Sequence, residues 1–175
     1  MDPLILASSV PAVIVAWLFW TEFKGAGWQP VPQRAIKRAL EIAKVGRTDV
    51  LYDLGAGDGR VITAAARAGA RSIGIEIDPL RVLLCKMRLK IKGEKKAQVF
   101  LSDLFNYPLG DASIVFIYLR DWSNERLKRK FITELKPGTK IITYHWPLKG
   151  WRPVAQDKEN DLWVYEIGER LASVV

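Results

Sequence analysis

A glycine-rich turn flanked by carboxylates is the first place in this sequence where residue types and spacing suggest chemistry. The turn reads DLGAGDG over residues 53–59 and follows the apolar run 50–54. Glycines let a backbone turn tightly and approach a ligand without an intervening Cβ. A dinucleotide site has G-x-G-x-x-G and holds a pyrophosphate, but here Arg60 stands where the third glycine would fall. Asp53 and Asp58 would repel a pyrophosphate, so we expect a ligand that carries an ammonium and a sulfonium.

Two further acidic residues end the next two predicted strands. Glu76 lies 23 residues after Asp53, where a carboxylate can accept both hydroxyls of a ribose. Asp103 follows the third predicted strand, where it can accept from an adenine amino group, and Leu104 can cover the ring. Because open α/β sheets bind ligands at the carboxyl ends of their strands, we expect these side chains to face one crevice.

The composition excludes several kinds of site. The chain has 175 residues, one cysteine (Cys85) and one histidine (His145), so an internal disulfide, a thiolate zinc cage and a histidine-pair metal site are all excluded. We predict no metal site, interpret Cys85 as a small core residue, and interpret His145 as a structural or channel residue rather than a general base. The formal charge of +8 favours nucleic acid, anionic lipid or an acidic partner without deciding between them.

Strand-like and helix-like segments alternate along the chain and must position these residues. Apolar periodicity predicts helices over 34–45, 60–68, 79–92 and 124–135. Apolar runs predict strands over 50–54, 72–77, 97–101, 112–119 and 141–144. Two more strand-like stretches, 154–157 and 162–167, follow with no helix between them. This order predicts an α/β fold whose mostly parallel seven-stranded sheet is covered on both faces and has an antiparallel edge strand.

Together these residues resemble the class I S-adenosylmethionine-dependent methyltransferases. The turn resembles their first motif, and Glu76 and Asp103 resemble the acids of their second and third strands; the resemblance covers roughly residues 48–168. It implies a Rossmann-like sheet and S-adenosyl-L-methionine as the cofactor. The cofactor-binding residues that it implies are Asp53, Gly55, Ala56, Gly57, Asp58, Gly59, Glu76, Asp103 and Leu104.

Three other segments are similar to the small archaeal protein-lysine methyltransferases and their mitochondrial relatives, which methylate the ATP synthase c-subunit and the adenine nucleotide translocase. They are WQPVPQRAIKRALEIAKV (28–45), ELKPGT (134–139) and HWPLKGWRP (145–153). The similarity implies methyl transfer to the ε-amine of protein lysines, with the proline segment closing over the cofactor.

Methyl transfer to a lysine requires a deprotonated amine next to the sulfonium. An unperturbed lysine has a pKa near 10.4, and desolvation in a narrow apolar channel lowers it. Tyr118 and Asp121 come just after the fourth predicted strand, and we predict them as the catalytic residues that orient the amine.

The N-terminal residues form a segment that is distinct from the rest of the chain. Leu4 to Trp20 is an uncharged run of 17 residues, which as a helix spans about 26 Å, near the thickness of a bilayer core. A cleaved signal peptide and a packed core helix are the alternatives. We predict a membrane anchor over 1–24, with one transmembrane helix over about 4–20, and a methyltransferase domain over 25–175. The basic residues of 21–48 predict a single-pass protein whose domain lies on the cytoplasmic, or matrix-equivalent, side.

Other functions remain open at this point. RNA methylation, methylation of a lipid or small molecule, and cofactor binding without turnover all fit the same fold. Nucleic acid is not favoured, because residues 119–122 read Leu-Arg-Asp-Trp and lack the proline loop of enzymes that methylate base amines. Residues 86–96 form a basic stretch that is either a solvated face or a contact for RNA or lipid. We expect a monomer that acts on protein lysines, including those of membrane proteins.

Overall fold

The computed structural model describes residues 29–168, so the predicted membrane anchor over 1–24, with its helix over about 4–20, lies outside the described residues. Four helices are described: α1 (Gln33–Ala43), α2 (Arg60–Arg67), α3 (Pro79–Lys92) and α4 (Asp121–Glu134). Seven strands are described: β1 (Val50–Leu54), β2 (Arg71–Glu76), β3 (Ala97–Leu101), β4 (Ile114–Ile117), β5 (Lys140–Tyr144), β6 (Ala155–Asp157) and β7 (Leu162–Glu166).

The seven strands form one sheet in the order β3-β2-β1-β4-β5-β7-β6. Strands β1 to β5 pair in parallel, whereas β7 pairs antiparallel with both β5 and β6. The predicted Rossmann-like α/β fold with an antiparallel edge is therefore confirmed. The chain moves outward from β1 through β2 to β3 and then returns to β4 on the other side of β1. This reversal opens a crevice at the carboxyl end of β1, which is where α/β sheets bind ligands.

Strand β1 lies at the centre because both of its faces are apolar. Leu51 packs in a core with α1 and α2, whereas Tyr52 and Leu54 point to the opposite face, in the core that contains α4. Asp53 is paired with Gly74 on one side and Phe116 on the other, so a carboxylate interrupts the buried middle of the sheet. A third apolar cluster joins α2 and α3 to β3 and contains Cys85, as predicted.

The element bounds differ from the sequence-based ones mainly around β4. This strand ends at Ile117, its last residue paired with β5, because the chain then leaves the sheet and places Tyr118 at the cavity described below. Helix α4 begins at Asp121 rather than Asn124, because the amides of Ser123 and Asn124 already donate to the carbonyl of Arg120.

None of the helices within residues 29–168 combines the length and the apolar character needed to cross a membrane.

Candidate active site

The glycine turn joins β1 to α2 in a backbone path that needs glycine. Gly55 has a φ of +88°, and its amide and that of Ala56 both donate to the carbonyl of Ile75, at 2.8 and 3.0 Å. Gly59, at a φ of +76°, caps the start of α2 and lies directly against the sulfur of Cys85, where a Cβ would not fit. The turn is thus tied to β2 on one side and packed against α3 on the other.

Glu76 holds the turn from below. One carboxylate oxygen accepts the amide of Gly57 at 2.8 Å, and the other accepts the amides of Ile77 and Asp78 at 2.9 and 3.0 Å. The side chain is buried, and three of its roughly four acceptor positions are used within the protein. Its role in shaping the turn was missed by the sequence analysis, and its role as the ribose acceptor stays a prediction.

Asp53 is the group in this site whose environment is most unusual for its charge. Its side chain is only 4% exposed, yet it lines the cavity above the turn. Burial, followed by the negative charges of Glu76 and Asp58, raises the pKa of this carboxyl to about 8. Within residues 29–168, no hydrogen-bond donor or positive charge offsets these effects. A buried acid without a counter-charge is typical of a binding site for a cation.

Asp58 differs from the expectation that both carboxylates of the turn await a cationic ligand. Its Oδ2 atom contacts Nη2 of Arg60 at 2.8 Å and Nη2 of Arg88 at 2.7 Å. Burial would raise the pKa of Asp58, but the hydrogen bond from Arg60 and the charges of both arginines outweigh it and lower the pKa. The charge of Asp58 is therefore compensated within the protein, which leaves Asp53 as the acid of the turn suited to an ammonium.

A cavity of about 690 Å³ opens above the turn. Its floor comes from the turn, its roof from the proline segment before α1, and its mouth from the residues after β4 and β5. Arg60 joins floor to roof, because its guanidinium also donates to the carbonyl of Val31 at 3.0 Å. The lining residues are Gln29, Pro30 and Val31; Asp53, Gly55, Ala56, Gly57, Asp58, Arg60 and Val61; Arg81; Phe116, Tyr118, Leu119, Arg120, Asp121 and Trp122; and His145 and Trp146.

Four of the predicted cofactor-binding residues do not line this cavity. Gly59 faces Cys85, and Glu76 holds the turn from below, as described above. Asp103 and Leu104 follow β3, two strands away from β1, and a carboxylate oxygen of Asp103 accepts the amide of Phe105 at 2.9 Å. The cofactor-binding roles of Glu76, Asp103 and Leu104 remain predictions.

The two predicted catalytic residues both line the mouth of the cavity, but in different electrostatic settings. The Tyr118 hydroxyl donates to Oε1 of Gln29 at 2.8 Å, and burial, followed by the proximity of Tyr144 and Asp161, raises its pKa. Asp121 instead forms an ion pair with Nζ of Lys149 at 2.5 Å. Tyr118 therefore keeps a hydroxyl with free lone pairs at the mouth, whereas the carboxylate of Asp121 already has a cation.

His145 is held at the mouth by contacts with Asp161 that the sequence does not predict. It adopts a φ of +66°, its amide donates to the carbonyl of Asp161 at 2.9 Å, and its Nδ1 lies 3.0 Å from Oδ2 of the same residue. Its ring meets those of Tyr118 and Trp146 edge-on. This location agrees with a channel residue, and its partner Asp161 was missed because the two positions become neighbours only through the pairing of β5 with β7.

Comparisons of the sequence with known proteins agree with this geometry. The sequence model of the ANTKMT methyltransferase domain matches residues 53–155, more than half of the chain. A protein-lysine N-methyltransferase of Saccharolobus islandicus is 34% identical over 80% of this chain and 92% of that protein. An adenine nucleotide translocase lysine N-methyltransferase of Mus musculus is 26% identical over 93% of this chain and 77% of that protein. An ATP synthase c-subunit lysine N-methyltransferase of Xenopus laevis is 27% identical over 79% of this chain and 62% of that protein.

The solved structures include a chain with the same architecture. It is an RNA methyltransferase from Salinibacter ruber in complex with S-adenosyl-L-homocysteine, with 37% identity, a TM-score of 0.78, and coverage of 81% of this chain and 95% of that one. These findings confirm the predicted Rossmann-like methyltransferase sheet, the predicted enzyme class and cofactor, and the resemblance to the archaeal and mitochondrial protein-lysine methyltransferases. The chain belongs to the ANTKMT methyltransferase family and is an S-adenosylmethionine-dependent methyltransferase.

Proposed function

We propose that this enzyme methylates the ε-amine of lysines in membrane-associated proteins. The observation that carries the proposal is the combination, in one cavity, of an uncompensated buried carboxylate at the floor with a mouth walled by aromatic rings. The first feature suits the cofactor and the second suits a long aliphatic side chain that ends in an amine. The named activities of the Saccharolobus, Xenopus and mouse relatives support the same acceptor.

The residues present fit S-adenosylmethionine at the floor of the cavity. Asp53 would hold its ammonium, since a buried carboxylate gains most from a cation that replaces lost water. The turn at Gly55 and Gly57 brings backbone to the cavity without a side chain in between. The cofactor supplies a methyl group on a positively charged sulfur, from which an amine can take it by in-line displacement. The protein mainly has to position the amine.

The mouth is suited to removing the proton from a lysine before transfer. Tyr118, Trp122, His145 and Trp146 line it, and such walls displace water from an entering side chain. Desolvation disfavours the ammonium form and lowers the pKa of the lysine. Because Tyr118 donates its own proton to Gln29, the lone pairs of its hydroxyl are available to accept an N–H of the neutral amine. That contact would turn the nitrogen lone pair toward the floor of the cavity.

The membrane part of the proposal is supported by residues before the described domain. The run from Leu4 to Trp20 has no charged side chain, and the segment after it is rich in lysine and arginine. The alignment with the mouse relative covers 93% of this chain, leaving about 12 residues unaligned, so it extends into this apolar run. We infer an anchor over 1–24 and a catalytic domain over 25–175 on the cytoplasmic, or matrix-equivalent, side of a single-pass protein.

RNA is the second candidate acceptor, because the Salinibacter structure is named an RNA methyltransferase and is 37% identical to this chain. The net charge of +8 is also compatible with a polyanion. Against it, residues 119–122 between β4 and α4 lack a proline loop. Among the described residues, the mouth also carries only one arginine, Arg120, beside the rings of Tyr118 and Trp122.

The test uses the full-length chain, methyl-labelled cofactor, and separate membrane and soluble fractions of a lysate. Three proteins are compared: wild type, Asp53→Asn, and Glu166→Gln as a control. The control removes an exposed carboxylate that pairs with Lys140 at the amino end of β5, the end of the sheet opposite the cavity. We expect label in the membrane fraction that is released by protease, maps to lysine, requires Asp53 and is unaffected by Glu166→Gln. Label that is released by nuclease or extracted into organic solvent would contradict the proposed acceptor.

A further inference from the structure

Helix α3 is apolar on two opposite faces, and the structure uses one of them. Val82, Cys85 and Leu89 are buried against α2 and β3. At 3.6 residues per turn, positions 80, 84, 87 and 91 fall on the opposite face, with position 83 beside them. All five side chains on that outer face are large, apolar and exposed: Leu80, Leu83, Leu84, Met87 and Ile91, the last at 76%.

The apolar surface continues onto the edge of the sheet. Strand β3 is the outermost strand on this side, and its residues Ala97 and Val99 point into the cluster under α3. Leu101, two residues further along, lies on the same face of the strand as Ala97 and Val99, but it is 58% exposed. A single exposed leucine is ordinary, whereas a stripe of five on one helix beside a sixth large apolar residue marks an interaction surface.

Basic residues flank this stripe on both sides. Lys86 and Lys90 lie four positions apart along one border, and Arg88 and Lys92 lie four positions apart along the other. Helix α3 contains no acidic residue. Arg88 is turned toward Asp58 of the site, but the three lysines are exposed. An apolar stripe between rows of lysine and arginine is the arrangement of helices that lie in the interfacial layer of anionic membranes.

We propose that the outer face of α3 docks on the surface of an anionic bilayer, with its leucines and Met87 in the headgroup boundary and its lysines on the lipid phosphates. Charge complementarity selects this occupant over a second copy of the chain, because a symmetric contact between two such helices would set lysine rows against each other. Lipid binding by this helix is separate from the anchor and does not depend on whether the acceptor is a lysine.

The position of α3 gives this docking a consequence for the site. The helix begins at Pro79, directly after the turn that carries Glu76 and Asp78, and Arg81 in its first turn lines the cavity. A membrane-docked α3 therefore holds the catalytic domain in a defined orientation, with the end of α3 that adjoins the cavity near the headgroups. An anchor joined by a short linker limits the distance between the catalytic domain and the membrane but does not fix the orientation of the domain. Docking of α3 would fix that orientation.

The experiment must report on α3 itself, because the apolar run Leu4–Trp20 would carry the full chain to vesicles in any case. An environment-sensitive fluorophore is attached at Met87→Cys in the full-length protein, with the buried Cys85 left in place. The matched control carries the same fluorophore at Lys158→Cys, an exposed position between β6 and β7, at the opposite edge of the sheet. Both are reconstituted in vesicles with about 30 mol% phosphatidylglycerol or with none, and the lipids carry a quencher at a known depth.

We expect the probe at position 87 to shift to the blue and to be quenched several-fold more than the probe at 158 in anionic vesicles. Adding Lys86→Glu and Lys90→Glu, which leave the apolar stripe intact, should remove most of that difference. Equal quenching at the two positions would overturn the proposal. So would a blue shift at 87 without lipid quenching, since that result would place a protein surface on the stripe instead.

Discussion

We predict that Asp53 couples cofactor binding to proton release and that replacing it with asparagine abolishes this coupling. In the unliganded protein, burial and the neighbouring carboxylates hold its pKa at about 8, so at pH 6.5 the carboxyl is protonated. A cofactor ammonium held by this carboxyl would favour its ionised form and expel the proton. We therefore expect binding to release close to one proton at pH 6 to 7, and the affinity to rise by about tenfold per pH unit up to about pH 8. Above that, the α-amino group of the cofactor itself begins to lose its proton.

The same shift has a defined effect on the stability of the unliganded enzyme. The pKa of Asp53 is raised from its ordinary value of 3.8 to about 8, so the folded state binds a proton that the unfolded state has lost. Stability therefore falls as the pH rises from about 4 to about 8. At about 1.4 kcal/mol per pKa unit, the full shift corresponds to a loss on the order of 5 kcal/mol. Asp53→Asn removes this loss and should be the more stable protein at pH 8.

Two measurements test this. Isothermal titration calorimetry of cofactor binding in buffers of different ionisation enthalpy counts the protons released, and urea unfolding at several pH values follows the stability. Asp53→Asn should bind at least tenfold more weakly at pH 8, release no proton and show a flatter stability profile. Wild-type binding that is independent of pH and releases no proton would refute the reasoning, because the carboxyl would then be ionised before binding.

Asp58→Asn is the matched control at the other acid of the turn. Arg60 and Arg88 lower the pKa of Asp58 against the effect of burial. A lowered pKa gives a stabilisation that is present at neutral pH and is lost as the pH falls through acidic values. Asp58→Asn should therefore weaken the protein at pH 7 and leave the proton release on cofactor binding intact. Asp53→Asn is expected to raise the stability and Asp58→Asn to lower it, so a general loss of packing at the turn cannot produce both results.

The remaining predictions concern the turn and the mouth of the cavity. Gly59→Ala should lower the free energy of unfolding, measured with urea, by about 3 kcal/mol or more, because the added Cβ would collide with Cys85. Gly93→Ala is the control, and because it has open space around it the loss should be only about 1 kcal/mol. Tyr118→Phe should lower kcat about tenfold in steady-state assays while the KM for the cofactor stays within about twofold. Glu76→Gln, which sets an amide against backbone donors, should weaken cofactor binding about tenfold in calorimetry.

Most of the fold could be predicted because it is written in local patterns. Apolar runs of four to eight residues alternate with amphipathic helices, and the final strands follow each other without a helix. This order predicts both the parallel sheet and its antiparallel edge. The bounds were less accurate at β4 and α4. There the chain leaves the sheet where the pairing with β5 ends, and no local signal in 112–124 marks that point.

The site was predictable only in part, for a similar reason. The turn residues and Asp53 are recognisable because glycines and an acid directly after an apolar run are a local signature. The ion pair in which Arg88 compensates the charge of Asp58 was not predicted, because the two residues are 30 positions apart and meet only when α3 packs beside the turn. The same holds for the contact of His145 with Asp161, which depends on the register of β5 and β7.

This division between local and distant contacts separates the enzyme into two functional halves. The floor of the cavity is made by residues that are close in sequence, and its backbone is held by Glu76 and Ile75 of β2. The roof and the mouth are assembled from segments far apart, for example Gln29 of the roof and Tyr118 of the mouth, which are 89 positions apart. We therefore expect that a substitution at the mouth can change which acceptor enters without weakening cofactor binding at the floor. Such a separation would fit relatives of 34% and 37% identity that carry the names of a protein-lysine and an RNA methyltransferase. It also implies that acceptor specificity in this chain should be sought at Gln29, Tyr118 and His145 rather than at the glycine turn.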